Sequence, residues 1–267
     1  MNTNGKTPLL IYLTSRDPTR GQDAATTLTT SDEPLQKAKA LRSQGGLTNI
    51  EFHPLDIASS ESIHAFSTYL AETHPEGIDF VINNAGMAMD GFDLNVVRTT
   101  LRCNYHGTLE ATRAFLPLLS KPSGGRIVNV ASSSGILGKG FSPAIRERFL
   151  SSKSVGDVTA LMDEFTASVA RGTEKEDGWP SAAYATSKAG EIGATMRLAE
   201  ELKREGKGEG VLANACCPGW VVTDMTKGKG HKTPDQGAQT PVMLAIGDIG
   251  GVSGEFWRDE KVISWSA

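Results

Sequence analysis

The strongest constraint on the fold of this chain is a pattern that recurs along it. A short apolar run ends in small or polar turn residues, a stretch of helical periodicity follows, and then another run begins. Leu9-Leu-Ile-Tyr-Leu13 runs into Thr14-Ser15-Arg16-Asp17-Pro18, and Ile50-Glu-Phe-His-Pro-Leu-Asp56 forms a second run. Gly77-Ile-Asp-Phe-Val-Ile-Asn83 leads to Asn84-Ala85-Gly86, Arg126-Ile-Val-Asn-Val-Ala131 to Ser132-Ser-Ser-Gly135, and Val211-Leu-Ala-Asn-Ala-Cys216 to Pro218-Gly219. Runs this short, rich in β-branched residues and closed by turn formers, predict buried strands. Strands that alternate with helices predict a parallel sheet with helices on both faces, an α/β fold. No internal repeat and no long low-complexity linker divides the chain, so a single domain over 1–267 is expected.

Between the runs, residues 19–41 read as helix, interrupted near Ser31-Asp-Glu-Pro34 and ended by Gly45-Gly46. Ser59 or Ser60 caps a helix with Ile63, Phe66 and Leu70 on one face. A long helix is expected from about Asp93 to Leu119, and a polar, partly helical insertion over about 141–178. The helix through Tyr184 carries Ile192, Met196, Ala199 and Leu202 on one stripe. Gly206 to Gly210 reads as a turn, a polar loop runs through His231, Thr233 opens a last helix to about Ile246, and Ser253–Trp257 reads as a final strand.

Composition narrows the partners. The chain has 267 residues, 27 Lys and Arg against 31 Asp and Glu, and a formal charge of −4. That balance argues against nucleic acid or an anionic membrane surface as the main partner. No run approaches the ~18 apolar residues of a membrane span, and Met1-Asn-Thr-Asn-Gly-Lys-Thr-Pro8 contains no signal-peptide core. The three cysteines, Cys103, Cys216 and Cys217, form no metal-ligand spacing, so no metal site is expected and a reduced, cytoplasmic setting is the simplest reading.

The chemistry-bearing pair is Tyr184 and Lys188. Four residues apart on a helix, they share a face. An ammonium beside a phenol favours the phenolate and lowers the tyrosine below its usual pKa of about 10. A phenol tuned in this way exchanges a proton with a substrate oxygen near neutral pH. The pair alone also fits a helix that merely carries both residues.

The order and spacing of several signals, Asn83-Asn-Ala-Gly86, Asn104 inside a helix, Ser132, Tyr184 with Lys188, and Pro218-Gly-Trp-Val-Val-Thr223, resemble the short-chain dehydrogenase/reductase family. Leu13-Thr-Ser-Arg-Asp-Pro-Thr-Arg-Gly-Gln22, Gly178-Trp-Pro-Ser-Ala-Ala-Tyr184 and Asn214-Ala-Cys-Cys-Pro-Gly-Trp220 are similar to its carbonyl-reductase branch, and the likeness covers the chain from about Leu9. The resemblance implies a Rossmann-like doubly wound parallel sheet and an enzyme that reduces a ketone, aldehyde or quinone to an alcohol, with a tailoring step in small-molecule biosynthesis as one such role. It implies Tyr184 as the acid that protonates the carbonyl oxygen and Lys188 as the group that lowers its pKa and holds the nicotinamide ribose. It implies Ser132 as a hydrogen-bond donor to the substrate oxygen, with Ala131 where the branch often has another serine. Asn104 would hold a water in a proton relay, or be only a buried hydrogen-bonding residue.

For the cofactor, the resemblance places Asp56 and Ile57 at the adenine, Asn83, Asn84, Ala85 and Gly86 along the adenosine, and Pro218, Gly219, Val221 and Thr223 at the nicotinamide, with Tyr184 and Lys188 beside it. Arg16 and Arg20 follow the first strand, where two guanidiniums suit a 2′-phosphate and favour NADP(H). A solvated basic turn offset by Asp17 is the other reading of that segment. The family pattern opens with a strand, a Thr-Gly-x-x-x-Gly-x-Gly turn and a helix, and these do not precede Leu9. The first strand and helix of the fold are therefore expected to be absent. The strands at Leu9 and Ile78 would then pair directly or leave a gap, and both outcomes predict weak dinucleotide binding. A missing upstream exon, or a short form acting as a cofactor-free binding protein or non-redox catalyst, would each account for this. The insertion goes with monomers in the branch. Gly228 to Gly230, with Lys227, Lys229 and Lys232, reads either as a mobile substrate lid or as an ordinary exposed loop, and Gly135 as a substrate-loop glycine.

Overall fold

The computed structural model describes residues 8–119, 124–206 and 210–267. The turn read over Gly206–Gly210 lies partly outside these residues, and the segment 1–7 wholly outside. Two compact units form, 1–73 and 74–267.

The first unit runs β1 (Leu9–Ser15), α1 (Pro18–Thr30), α2 (Glu33–Ala38), β2 (Thr48–Pro54), α3 (Ser60–Thr73). β1 and β2 are parallel, in register from Leu9↔Thr48 to Ser15↔Pro54. α1 begins at Pro18 because the Asp17 carboxylate accepts from the Arg20 N–H at 3.0 Å, and proline at the first helical position loses no needed donor. The expected interruption is present. α1 ends at Thr30, and Asp32 restarts the chain as α2 by accepting from the Leu35 N–H at 2.9 Å. The expected continuation to Leu41 is not found. Lys39 turns left-handed at φ 48° and α2 stops at Ala38. β1 also differs from the buried strand expected, since Leu9, Leu10 and Ile11 are 37–41% exposed. Its only ladder among the described residues is with β2.

The second unit runs β3 (Phe80–Asn83), α4 (Leu94–Leu101), α5 (Thr108–Phe115), β4 (Arg126–Val130), α6 (Pro143–Ser151), α7 (Val155–Arg171), α8 (Ala183–Glu205), β5 (Leu212–Cys217), α9 (Pro234–Ile246), β6 (Phe256–Arg258), β7 (Lys261–Val262). The sheet order is β3-β4-β5-β6-β7, parallel through β6, with β7 antiparallel at the edge. β7 has two residues, too few for any periodic signal, and was not read from the sequence. β1 and β3 fall in different sheets among the described residues, so the direct pairing is not found.

Alternation along β4 separates its faces. Val128 and Val130 pack with Cys216, Leu244, Ala245, Ile249 and Trp257, which puts α9 on that side. Asn129, on the opposite face, donates to Thr195 of α8 at 2.7 Å. Helices therefore cover both faces of this sheet, as the alternating pattern predicts.

One element departs from the sequence reading. The long helix over 93–119 is not one α-helix. Asp93 caps α4, residues Arg102–Gly107 form a π-helical turn, and α5 resumes at Thr108. The 141–178 insertion is polar in composition and partly helical, as expected, but its helices turn an apolar face inward. α6 and α7 bury Ile145, Phe149, Val155, Val158, Leu161, Met162 and Phe165. Phe149 meets Phe141, Trp179 and Trp265 edge to face at 5.7–6.0 Å between ring centres, a geometry that aromatic quadrupoles favour.

Candidate active site

In each unit the singled-out residues gather at the carboxyl ends of parallel strands, where open α/β sheets bind ligands. In the first unit Arg16 and Arg20 follow β1, both exposed, and Asp56 and Ile57 follow β2. Asp56 uses one carboxylate oxygen to accept from the Ala58 N–H at 2.9 Å, and its own N–H donates to Ser62 Oγ at 2.9 Å. Ile57 is buried. In the second unit Asn83 ends β3 and Asn84–Gly86 follow it, Ser132 follows β4, and Pro218–Thr223 follow β5.

α8 brings Tyr184 and Lys188 together. The Lys188 Nζ lies 5.9 Å from the centre of the Tyr184 ring. Tyr184 is half-buried and accessible, whereas Lys188 is 4% exposed. The ammonium donates to the Val130 carbonyl at 2.9 Å and to Glu191 Oε2 at 2.6 Å. Burial works against its charge, but Glu191 and Tyr184 more than offset that and hold Lys188 above the usual lysine range. At Glu191 burial outweighs the attraction of Lys188 and pushes the carboxyl up to about 7. Glu191 was not singled out from the sequence. Its position three residues after Lys188 on the same helix was the available signal.

Ser132 sits in extended backbone and caps a short 3-10 turn over Ser133–Gly135. Its Oγ pairs with Ser134 Oγ at 2.6 Å. Gly135 presses this turn onto α8. A Cβ there would come within 2.5 Å of the Lys188 carbonyl carbon and of the Ala189 nitrogen. Gly135 is therefore a close-approach glycine that seats the Ser132 turn against the backbone of Lys188. The Trp265 indole N–H caps its carbonyl at 2.9 Å.

Asn104 lies buried in the π-helical turn. Its amide N–H groups donate to the Met87 carbonyl at 2.8 Å and to Ser187 Oγ at 3.1 Å, and its Oδ1 accepts from the Met87 N–H at 2.8 Å. The side chain thus clamps the segment after β3 to α8. The clamp carries Gly86 to within reach of the site, since a Cβ on Gly86 would lie 3.6 Å from Lys188 Nζ. Asn83 points inward, donating to Thr112 Oγ1 at 2.9 Å and Asn129 Oδ1 at 2.8 Å, while Asn84 and Ala85 are exposed.

After β5, Gly219 takes φ +89°, a conformation open mainly to glycine. The loop then folds on itself. The Val222 N–H donates to the Lys232 carbonyl at 2.9 Å and the Thr226 hydroxyl to the Val221 carbonyl at 2.7 Å. Thr223 is exposed; its carbonyl accepts from the Gly228 N–H at 3.1 Å, its N–H donates to Thr226 Oγ1 at 3.0 Å, and its hydroxyl lies 3.5 Å from that of Thr226. Lys227 pairs with Asp90 at 3.0 Å, across to the segment after β3, and Lys232 with Asp259 at 2.5 Å.

Residues 19–144 and 165–234 match the short chain dehydrogenase family, and the chain belongs to it. It is 35% identical to carbonyl reductase [NADPH] 1 of Homo sapiens over 263 residues, 96% of this chain and 88% of that protein. It is likewise 35% identical to carbonyl reductase [NADPH] 3 of Rattus norvegicus, over 95% of this chain and 94% of that protein. Among solved structures, salutaridine reductase from Papaver somniferum superposes with a TM-score of 0.78 at 23% identity, covering 94% of this chain and 99% of that one. The NADPH-bound carbonyl reductase from chicken fatty liver superposes with a TM-score of 0.59 at 19% identity, covering 97% and 99%. At these identities the structural likeness establishes the Rossmann-like α/β fold.

Proposed function

We propose that this chain reduces the carbonyl group of a small ketone, aldehyde or quinone to an alcohol with NADP(H). The observation that carries the reading is the Lys188 ammonium held 5.9 Å from the ring of an accessible Tyr184, on a helix against which Gly135 seats the Ser132 turn. The names of the relatives at 35% identity support the same cofactor and reaction.

The residues present fit a dinucleotide. An ammonium has three N–H donors. Two of those on Lys188 are engaged, by Val130 and Glu191, which leaves one for a ribose hydroxyl. Asn84, Ala85 and Gly86 offer an accessible turn after β3, and Pro218, Gly219, Val221 and Thr223 one after β5. Arg16 and Arg20 suit a 2′-phosphate, with Asp56 and Ile57 at the adenine. When bound, the cofactor supplies the hydride that the carbonyl carbon receives. Tyr184 gives its phenolic proton to the carbonyl oxygen as charge builds there, and Ser132 donates a hydrogen bond to the same atom. Asn104 holds the Gly86 turn and Ser187 in place around them.

The same reading treats 1–267 as one functional domain with an insertion at about 141–178. The family match runs through both units and pauses between 144 and 165, inside that insertion. A monomer, a cytoplasmic setting and a tailoring role in biosynthesis complete the proposal. Three free cysteines are in keeping with the setting. No helix among the described residues is long and apolar enough to cross a membrane.

The competing reading is a cofactor-free binding protein or non-redox catalyst. Titration of the purified chain with NADPH, followed by nucleotide fluorescence, separates the two. Saturable binding well below millimolar is expected, and no saturation below that concentration rejects the reductase reading for this chain.

A further inference from the structure

Glu191 has no part in the chemistry described so far, yet it is bonded directly to the lysine that serves the phenol. Its side chain is 2% exposed and that of Lys188 5%, and they meet at 2.6 Å. A buried carboxylate is costly unless it is paired and hydrogen-bonded, so a glutamate on the inner face of α8 calls for a reason. A shorter apolar residue would fill this part of the core at lower cost.

Leu109, Ala194 and Leu198 make one side of the surroundings of Glu191 apolar, and a polar network makes the other. Glu191 borders a cavity of ≈ 10 Å³ together with Asn129, Thr112 and Thr195. That is close to the ~10–15 Å³ that one water needs. A chain of hydrogen bonds runs from Asn83 to Asn129 at 2.8 Å, from Asn129 to Thr195 at 2.7 Å, and from the Thr195 hydroxyl to the Glu191 carbonyl at 2.7 Å. The turn after β3 and the Glu191 backbone are therefore tied through β4.

We propose that Glu191 is a positioning residue for Lys188: with the Val130 carbonyl it clamps the ammonium from the interior side of α8, and the charge of its carboxyl sets how firmly that ammonium is held next to Tyr184. This rests on the reductase reading for its functional consequence, not for its structural part. The charged and titratable groups that face the pair are few. Tyr184 lies on α8 itself, Cys103 approaches Lys188 from the π-helical turn, and Cys216 of β5, with Cys217 beside it, approaches Glu191. Burial and its neighbours push the Cys216 thiol far up, so it stays neutral across the physiological range. Glu191 is then the group of this cluster that changes charge near pH 7. Below that pH the carboxyl is neutral and Lys188 keeps only dipolar acceptors. Above it the ion pair is complete and the ammonium is fixed.

The sign for stability follows. The native carboxyl, at about 7, holds its proton more tightly than the free value of 4.5. The native state therefore binds more protons between those values, and this group's contribution to stability falls as pH rises through that window.

The test uses two independent measurements. In the ligand-free protein labelled with ¹³C at glutamate carboxyls, one resonance is expected to titrate near pH 7 and to be missing from Glu191→Gln. All glutamates titrating near their free value would overturn the proposal. Should Glu191→Gln fail to fold, Glu191→Asp assigns the resonance by its loss from the glutamate spectrum. In turnover with NADPH, the wild type is expected to show an inflection of kcat near pH 7, and Glu191→Gln to remove it, with kcat lowered about 10- to 100-fold, the range of a hydrogen bond to a charged group. A pH profile of Glu191→Gln that matches the wild type would overturn the positioning role, since a purely structural role predicts that result. If the wild type shows no turnover or NADPH binding at all, the reductase reading falls, and the resonance still decides the state of Glu191.

Discussion

Lys188 shows how much of this site depends on a single side chain. Its ammonium is surrounded on the interior side by Val130 and Glu191, and it approaches Tyr184 on the other. That arrangement makes Tyr184 the residue on which the proposed reaction depends most directly. Tyr184→Phe keeps the ring and its packing but removes the proton donor. Because general acid catalysis contributes ~10²–10⁴-fold, kcat for carbonyl reduction is expected to fall by that order while the thermal unfolding midpoint changes little. Activity within a few-fold of wild type would show that the proton comes from elsewhere. The Tyr184/Lys188 pair was legible in the sequence because a four-residue spacing maps onto one helix face. The partners of Lys188 were less so. Val130 contributes only a backbone carbonyl, which carries no residue signature, and Glu191 looked like any helix glutamate until its burial was known.

At the scale of elements, the segment over 141–178 changes character between sequence and structure. Its charged residues dominate a linear reading, but α6 and α7 turn one face inward and build an aromatic core with Trp179 and Trp265. Met162 and Val158 lie against Gly190 and Gly193 of α8, where a Cβ on either glycine would come within 2.5–3.5 Å of them. The insertion is thus a buttress for the helix that carries Tyr184. Phe149 is fully buried at the centre of the aromatic group, so Phe149→Ala is expected to cost ~3–5 kcal/mol, read as a lower midpoint in denaturant unfolding. A cost below ~1 kcal/mol would mean that the insertion packs loosely against the rest. The break in the 93–119 helix was invisible for a related reason. A π-helical turn shifts the hydrogen-bond register by one residue, and Asn104 sits within it bonding to Met87 and Ser187, contacts that no periodicity encodes.

At the scale of the whole molecule, α7 packs along α8, with Met162 and Val158 against Gly190 and Gly193. A monomer is the expected outcome in gel filtration at micromolar protein, and a stable tetramer would overturn it. The surface charge of −4 is modest and gives no strong field to draw a polyelectrolyte partner. The lid reading of the loop after β5 is tempered by its own bonds. Val221, Val222 and Lys232 close it, and Lys227 and Lys232 reach Asp90 and Asp259, though exposed pairs of this kind hold only weakly.

The sequence by itself determined the α/β class, the order of strands and the residues placed at their carboxyl ends, because alternating apolar runs and turn formers are local signals that physical periodicity imposes on any such chain. It also determined the Tyr184/Lys188 spacing. The tertiary structure alone decided which polar side chains face inward. Asn104 is buried and Asn83 half-buried because partners far along the chain satisfy them, Glu191 is buried against Lys188, and only folding sets these groups within hydrogen-bond reach in the interior.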